Sequence, residues 1–169
     1  MAIAIIGDTH MPRGGRRLPD RALELLRSSE LILHTGDFTR LETLELFAAI
    51  GPPVVAVAGN VDEPAIHERL PEADTVTLGG RVRVALIHDA GARKGRLERM
   101  RRRFPGAAAV IFGHSHLPLH ERADDDDPAS FQIFNPGSPT ERRRAPRHSM
   151  GLAEVTASGA LELRHVWLD

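Results

Sequence analysis

Two histidines, His114 and His116, stand two positions apart at the end of an apolar run over residues 107–112. The run is short, carries β-branched residues towards its end and stops at a glycine, so it predicts a buried strand. In an extended chain, residues two apart point to the same side, and both imidazoles can face one place. Because neutral imidazole is the commonest metal ligand in proteins, the pair indicates a metal site; two solvated loop histidines are the alternative.

Ligand-type side chains also follow four other apolar runs. Residues 2–6 precede Asp8 and His10, residues 31–34 precede Asp37, residues 54–58 precede Asn60, and residues 82–87 precede His88. Taken alone, Asp8 could equally cap an Asx turn. In open α/β sheets, however, sites form beyond the carboxyl ends of the strands, which is where all of these side chains fall. We therefore expect them to lie together.

The strand ends supply seven oxygen or nitrogen donors: Asp8, His10, Asp37, Asn60, His88, His114 and His116. One metal ion with four protein ligands would leave three donors unexplained, whereas two ions that share a bridging carboxylate use all seven. Two divalent ions about 3.5–4 Å apart can clamp a phosphate and convert a bridging water to hydroxide. Carboxylate and imidazole donors without sulfur favour Mn²⁺, with Fe, Zn²⁺ or Ni²⁺ as alternatives, over Mg²⁺ or Ca²⁺.

The predicted elements that carry these donors alternate at first between strands and helices. Helices are predicted to open at Pro19 and to cover residues 41–50, 64–70 and 95–104. Consecutive strands follow, with hairpins over residues 75–87 and 149–167 and further strands over residues 119–122 and 131–134. This order predicts an α/β fold in which two mixed β-sheets pack as a sandwich flanked by helices.

Composition narrows the function classes. The 169-residue length predicts one domain, and 41% apolar with 27% charged residues is ordinary for a globular chain. A net charge of −1 argues against a general surface for long nucleic acids, and the lack of cysteine excludes disulfides and thiolate ligands. The apolar start is too short for a signal peptide and no run reaches membrane-span length, so a cytoplasmic protein without a membrane partner is expected.

The ordered motifs Asp8-x-His10, Gly36-Asp37, Gly59-Asn60, His88 and Gly113-His114-x-His116 resemble those of the calcineurin-like metallophosphoesterase superfamily. The short length, the segment over residues 135–138 and the two-strand ending are similar to its small bacterial and archaeal phosphodiesterase branch, which is related to the Vps29 fold. The resemblance spans nearly the whole chain. It implies a single domain over residues 1–169 with a four-layer sandwich.

The resemblance also implies roles for the donors. Asp8, His10 and His116 would bind one metal ion, Asn60, His88 and His114 would bind the other, and Asp37 would bridge them. Asp37, Asn60 and His114 are the expected catalytic residues. The implied activity is a dinuclear phosphodiesterase that attacks a small phosphodiester with a metal-bridging hydroxide. A phosphomonoesterase with the same site and a non-catalytic, protein-binding scaffold like Vps29 remain alternatives, and a homo-oligomer is left open.

Two positions depart from the family pattern. Val61 stands where many members have a histidine that protonates the leaving group, which favours diesters with good leaving groups. Asp89 stands where many have glycine, and it could orient a ligand histidine. The other histidines have no motif context and are expected in structural or surface roles: His34, His67, His120, His148 and His165. Arg144 and Arg147 could reach a phosphate or be ordinary surface residues.

Overall fold

A computed structural model describes residues 2–169. The first part alternates strands and helices: β1 (Ala2–Ile6), α1 (Asp20–Ser28), β2 (Leu31–His34), α2 (Leu41–Ala48), β3 (Val54–Ala56) and α3 (Pro64–His67). The remainder is richer in strands: β4 (Ala73–Leu78), β5 (Val82–Ile87), α4 (Arg96–Arg103), β6 (Ala109–Ile111), β7 (Leu119–Arg122), β8 (Gln132–Asn135), β9 (Ser149–Val155) and β10 (Leu161–Trp167). Among these described helices, none is both long and apolar enough to cross a membrane.

The strands form two mixed five-stranded sheets. The first has the order β10-β9-β1-β2-β3 and the second the order β4-β5-β6-β8-β7. Helical crossovers make β1, β2 and β3 parallel, and β9 and β10 join this sheet antiparallel. In the second sheet β5, β6 and β8 are parallel, with the antiparallel strands β4 and β7 at the edges. The parallel strands thus end at a common edge of each sheet.

Three apolar clusters divide the molecule into four layers. One cluster lies between the sheets and contains Ile3 and Ile5 of β1 together with Leu86 of β5. A second joins the outer face of the first sheet to α1, α2 and α3, and a third joins the outer face of the second sheet to α4. The predicted sandwich of two mixed sheets flanked by helices is therefore confirmed.

The sequence of β1 explains its central position. Ile3 and Ile5 point to the cluster between the sheets, whereas Ala4 and Ile6 point to the cluster under the helices. Because both faces of the strand are buried, an unbroken apolar run replaces the alternation typical of a half-exposed strand. The helices show one-sided burial instead, as in α4, where Met100 is buried and the basic residues face outwards.

Some element ends differ from the prediction. Strand β3 ends at Ala56 rather than Ala58, because Ala58 donates its backbone N–H to the carbonyl of Pro71 (2.9 Å) instead of to a strand. This departure turns the chain towards Asn60. Strand β4 begins at Ala73, two residues before the predicted start, since Ala73 and Asp74 pair with the end of β5.

Candidate metal centre

The structure brings all seven predicted donors into one group at the carboxyl ends of the strands. Asp37 Oδ2 lies 3.1 Å from His10 Nε2 and 3.3 Å from His88 Nε2, which places this carboxylate between two imidazoles. Asn60 Oδ1 lies 2.9 Å from His88 Nε2 and 3.1 Å from His114 Nδ1. His116 Nε2 completes the group at 3.8 Å from Asp8 Oδ1.

The backbone that presents these side chains is strained. Within the described chain, seven residues other than glycine have a positive φ: Asp8, His10, Asp37, Thr39, His114, His116 and Arg143. Five of the seven are predicted metal ligands. Left-handed backbone is uncommon outside glycine, and such residues concentrate at functional sites where surrounding contacts hold them in place. The unusual backbone at the strand ends therefore directs these side chains towards the donor group.

Two glycines make room for the carboxylates. A Cβ at Gly59 would lie 2.1 Å from Asp37 Oδ1, and one at Gly113 would lie 2.9 Å from Asp8 Oδ2. No side chain fits at either place unless neighbouring atoms move, and at Gly59 these include the backbone N of Asp37 at 2.3 Å. The glycines that follow the apolar runs thus permit close approach between neighbouring strand ends.

Ligand-type atoms form two overlapping triads. The first contains Asp8, His10 and His116, and the second contains Asp8, Asp37 and His88; within each triad the ligand atoms lie within 4.8 Å of one another. Asp8 is common to both triads, and Asp37 lies between His10 of the first and His88 of the second. Two carboxylates thus stand between the two halves of the site, where the sequence leads us to expect Asp37 alone.

Backbone carbonyls orient two of the imidazoles. His88 Nδ1 lies 2.8 Å from the carbonyl oxygen of Thr35, and His116 Nδ1 lies 2.6 Å from that of Glu141. A carbonyl only accepts hydrogen bonds, so each Nδ1 carries the proton and each neutral ring keeps a lone pair on Nε2. This arrangement fixes the tautomer and ring direction that a metal ligand requires.

Three buried ligand atoms lack a hydrogen bond in the described chain: Asp8 Oδ2, His10 Nε2 and His116 Nε2. His10 Nε2 approaches Asp37 Oδ2, but not in hydrogen-bond geometry. Unsatisfied buried polar atoms are costly and call for an explanation. Since all three belong to residues of the first triad, and carboxylate with imidazole suits a divalent transition metal, the side chains fit such an ion.

Burial and neighbouring charges set the protonation of the donors. Burial raises the pKa of Asp8 to about 7 and lowers the pKa of His116 to about 4. Burial also acts to raise the pKa of Asp37, but the adjacent imidazoles of His10 and His88 outweigh it and hold this pKa well below its usual range. For His88 the Asp37 carboxylate outweighs burial and raises the pKa to about 8. A bound cation would further favour anionic Asp8 and Asp37.

His114 is the most accessible of the four donor histidines. Its side chain is 45% exposed and its Nε2 lies 3.9 Å from Asp89 Oδ2, too far for a hydrogen bond. Asp89 is therefore near the predicted ligand His114, but does not hold it by a hydrogen bond. Val61 donates its backbone N–H to Asp37 Oδ1 (3.1 Å), and its exposed side chain offers no proton to a leaving group.

Sequence reasoning missed Asp62. Its buried carboxylate accepts backbone N–H groups from Gly59 (2.7 Å), Thr39 (2.6 Å) and Asp37 (3.1 Å). It therefore ties the loop after β2 to the loop after β3. The only signal in the sequence is its position two residues after Asn60, and nothing in that spacing indicates which amides it accepts.

The segment after β8 was also missed as part of the site. Ser138 Oγ donates to the backbone carbonyl of Asp8 (2.8 Å), and Thr140 Oγ1 donates to that of Thr9 (2.7 Å). The Glu141 side chain lies 3.8 Å from His10 Nδ1 and pairs with Arg16 at 3.3 Å. This segment consequently supports both ends of the Asp8-x-His10 motif.

The remaining candidates lie in different surroundings. His34 is buried and stacks on Phe38, with a ring-centroid distance of 3.6 Å. Other histidines bond outside the donor group: His120 to Gln132, His148 to Asp169 and His165 to the carbonyl of Asn135. Arg147 pairs with Asp169, whereas Arg144 lines a cavity beside His114, so the two predicted arginines separate. His67 lines a second cavity that includes Asn60 and His88.

Comparisons with known proteins agree with this geometry. A probable metallophosphoesterase of Methanothermobacter thermautotrophicus is 33% identical over 149 residues, which cover 85% of this chain and 80% of that protein. Two solved structures, each 22% identical, share the fold. Vps29 of Entamoeba histolytica complexed with Zn²⁺ has a TM-score of 0.74 over all of both chains. A novel archaeal phosphodiesterase has a TM-score of 0.69 over 98% of this chain and 100% of that one.

A family model covers most of the chain. Residues 1–158 match the calcineurin-like phosphoesterase superfamily domain. The match includes all seven donors and the segment after β8 that supports Asp8 and His10. With the sequence relative and the shared fold, the match establishes the family. The chain belongs to the calcineurin-like phosphoesterase superfamily.

Proposed function

We propose that this protein is a dinuclear, metal-dependent phosphodiesterase that hydrolyses small phosphodiesters. The observation that carries the proposal is the pair of overlapping triads, in which three buried ligand atoms have no hydrogen-bond partner among residues 2–169. Membership of a phosphoesterase superfamily and the fold shared with an archaeal phosphodiesterase support the same activity. Mn²⁺ is the proposed metal, because the donors are mixed oxygen and nitrogen without sulfur.

The predicted donors would hold the two metal ions in two groups. His10 and His116 with Asp8 would hold one ion, His88, Asn60 and His114 the other, with Asp37 between them. When bound, the ions supply positive charge at the phosphoryl oxygens and lower the pKa of the water that attacks as hydroxide. The carbonyls of Thr35 and Glu141 keep two imidazoles in the required tautomer.

The balance of the reaction favours esters with good leaving groups. Hydrolysis forms a bond from phosphorus to the water oxygen and breaks the bond to the leaving alcohol, whose oxygen then takes up a proton. Val61 cannot supply that proton, so an alcohol of low pKa leaves more readily than a simple alkoxide. Activated diesters should therefore react faster than diesters of simple alcohols.

The test is hydrolysis of bis-p-nitrophenyl phosphate by metal-stripped protein, with Mn²⁺, Fe²⁺, Zn²⁺, Ni²⁺ or Mg²⁺ added back. p-Nitrophenyl phosphate serves as the monoester control, and elemental analysis gives the number of ions bound. Restored diesterase activity with two ions per chain is the expected result. A higher rate on the monoester would make the protein a phosphomonoesterase. Absence of both activity and bound metal would favour a scaffold and overturn the proposal.

A further inference from the structure

Two cavities are lined by predicted donors, a third is lined by Met11 next to His10, and the three differ in charge. The cavity beside His114 has a volume of about 430 Å³ and is lined by His114, Ser115, Leu117, Arg143 and Arg144, with no carboxylate. The cavity beside Asn60 and His88, of about 290 Å³, includes Glu72 and Asp89. The third cavity has a volume of about 370 Å³, and the residues that line it include Met11, Asp20 and Glu42. Of the three, the cavity beside His114 alone is lined by arginines without any carboxylate.

The two guanidinium groups of this cavity are available to a ligand. Among residues 2–169, no carboxylate forms an ion pair with Arg143 or Arg144. Other arginines are paired, for example Arg16 with Glu141 at 3.3 Å and Arg147 with Asp169 at 3.9 Å. A guanidinium donates two parallel hydrogen bonds to a phosphate, so unpaired arginines beside a phosphoesterase centre suit an anionic group.

The position of Arg143 is fixed relative to the metal centre. Its Nη1 donates to the backbone carbonyl of His114 at 3.2 Å. It also shares the strained left-handed backbone (φ 49°) that is otherwise found, apart from Thr39 and the glycines, at predicted ligands in the described chain. Its charge adds to burial, the main cause, in lowering the pKa of His116. Arg143 is thus held at the edge of the donor group.

We propose that Arg143 and Arg144 bind a second phosphate carried on one arm of the substrate, and so select small phosphodiesters that bear a further phosphate group. This inference rests on the proposed function, because the reacting phosphorus must lie at the metal centre for its arm to enter the cavity beside His114. The 39% exposed side chain of Leu117 gives the same cavity an apolar wall for the organic part of that arm.

A matched pair of chromogenic substrates tests the selection. Thymidine 5′-(p-nitrophenyl phosphate) and its 3′-phosphorylated counterpart release the same p-nitrophenol and differ only in the second phosphate. With Mn²⁺ present, kcat/KM should be about tenfold higher for the 3′-phosphorylated substrate, which corresponds to one or two charge-assisted hydrogen bonds. Equal values in the wild-type protein would overturn the inference while leaving the phosphodiesterase proposal intact.

Variants test whether the arginines of the cavity cause the preference for the 3′-phosphorylated substrate. In Arg144→Gln the ratio of the two kcat/KM values should fall to about twofold or less, and Arg144→Lys should retain part of the preference. Arg147→Gln removes the same charge at a residue paired with Asp169 outside the cavity, and should keep the wild-type ratio. Loss of the ratio in Arg147→Gln as well would attribute it to overall charge and overturn the inference.

A binding measurement gives an answer that does not depend on turnover. Calorimetry of the Mn²⁺-loaded protein with thymidine 3′,5′-bisphosphate and with thymidine 5′-phosphate compares the same two phosphate patterns. The wild-type protein should bind the bisphosphate about tenfold more tightly, and Arg144→Gln should lose that difference. If neither chromogenic substrate is hydrolysed but the bisphosphate still binds more tightly, the inference stands and the phosphodiesterase proposal fails. Equal affinities overturn the inference.

Discussion

A hydrogen bond joins Asp8 to His114 across the two sheets: the backbone N–H of His114 donates to Asp8 Oδ1 at 3.1 Å. Asp8 follows β1 at the centre of the first sheet, and His114 follows β6 at the centre of the second. The two residues are 106 positions apart in sequence, and the segment between them contains β2 to β6, with strands of both sheets. The candidate metal centre therefore exists only where the ends of the two sheets meet, and its geometry depends on how the sandwich is packed.

Replacement of Asp37 by alanine should abolish metal-dependent activity. Asp37 Oδ2 lies within 3.3 Å of imidazoles from both halves of the site, so the variant removes a donor from each half. We expect metal content to fall and the diesterase rate to drop by about a hundredfold or more. Asp74→Ala, which removes an exposed carboxylate in β4, is the matched control. Near wild-type turnover in Asp37→Ala would exclude the two-metal mechanism.

Replacement of Asp62 by asparagine should weaken the site without removing a ligand. The amide cannot accept all three backbone N–H groups that the carboxylate accepts, so one or more is left unsatisfied. The free energy of unfolding should fall by about 1–3 kcal/mol and metal affinity by about tenfold to a hundredfold. Urea denaturation and metal titration measure the two effects. Wild-type values for both would show that the carboxylate does not position the loops.

Alanine at Gly113 and at Gly151 should have different consequences. A Cβ at Gly113 would lie 2.7 Å from Thr35 Oγ1 and 2.9 Å from Asp8 Oδ2, so Gly113→Ala should displace the carboxylate and reduce metal binding. A Cβ at Gly151 would lie 2.5 Å from the Phe134 ring, so Gly151→Ala should destabilise the core by about 1–3 kcal/mol. Metal titration and thermal unfolding of both variants separate the effects. Equal metal affinities in the two variants would contradict the assignment of Gly113.

His34 should make the folded state less stable in acid. Burial lowers its pKa to about 3 in the folded protein, against 6.5 for an exposed histidine. Above pH 6.5 both states hold a neutral ring, and His34 gives no pH dependence. Between pH 6.5 and about 3 the unfolded state takes up a proton that the folded state does not, so stability decreases as pH falls. The slope approaches about 1.4 kcal/mol per pH unit.

The measurement is the free energy of unfolding between pH 5 and 8, from urea denaturation. His34→Gln should show a shallower slope than the wild type, whatever stability it loses from the missing ring contact with Phe38. His67→Gln, at an exposed histidine, should keep the wild-type slope. Parallel slopes in His34→Gln and the wild type would show that His34 titrates normally in the folded protein.

The sequence by itself determined the fold class and the composition of the site. Apolar runs such as residues 2–6 identify strands buried on both faces, because a strand with one face in water would alternate apolar and polar residues. Parallel strands end at one edge, so donors placed directly after them, such as Asp8 and Asp37, had to meet. The order of elements and the types of donor are properties of short segments, which a sequence shows directly.

Tertiary structure alone decided how the donors are held. His88 receives its orientation from the carbonyl of Thr35, 53 residues away, and His116 from that of Glu141, 25 residues away. The tertiary structure also gives the two predicted arginines different surroundings. Arg144 lines the cavity beside His114, whereas Arg147 pairs with Asp169. These contacts join segments that only packing brings together. Because any carbonyl can accept and any surface arginine can pair, residue type carries no information about which contact forms.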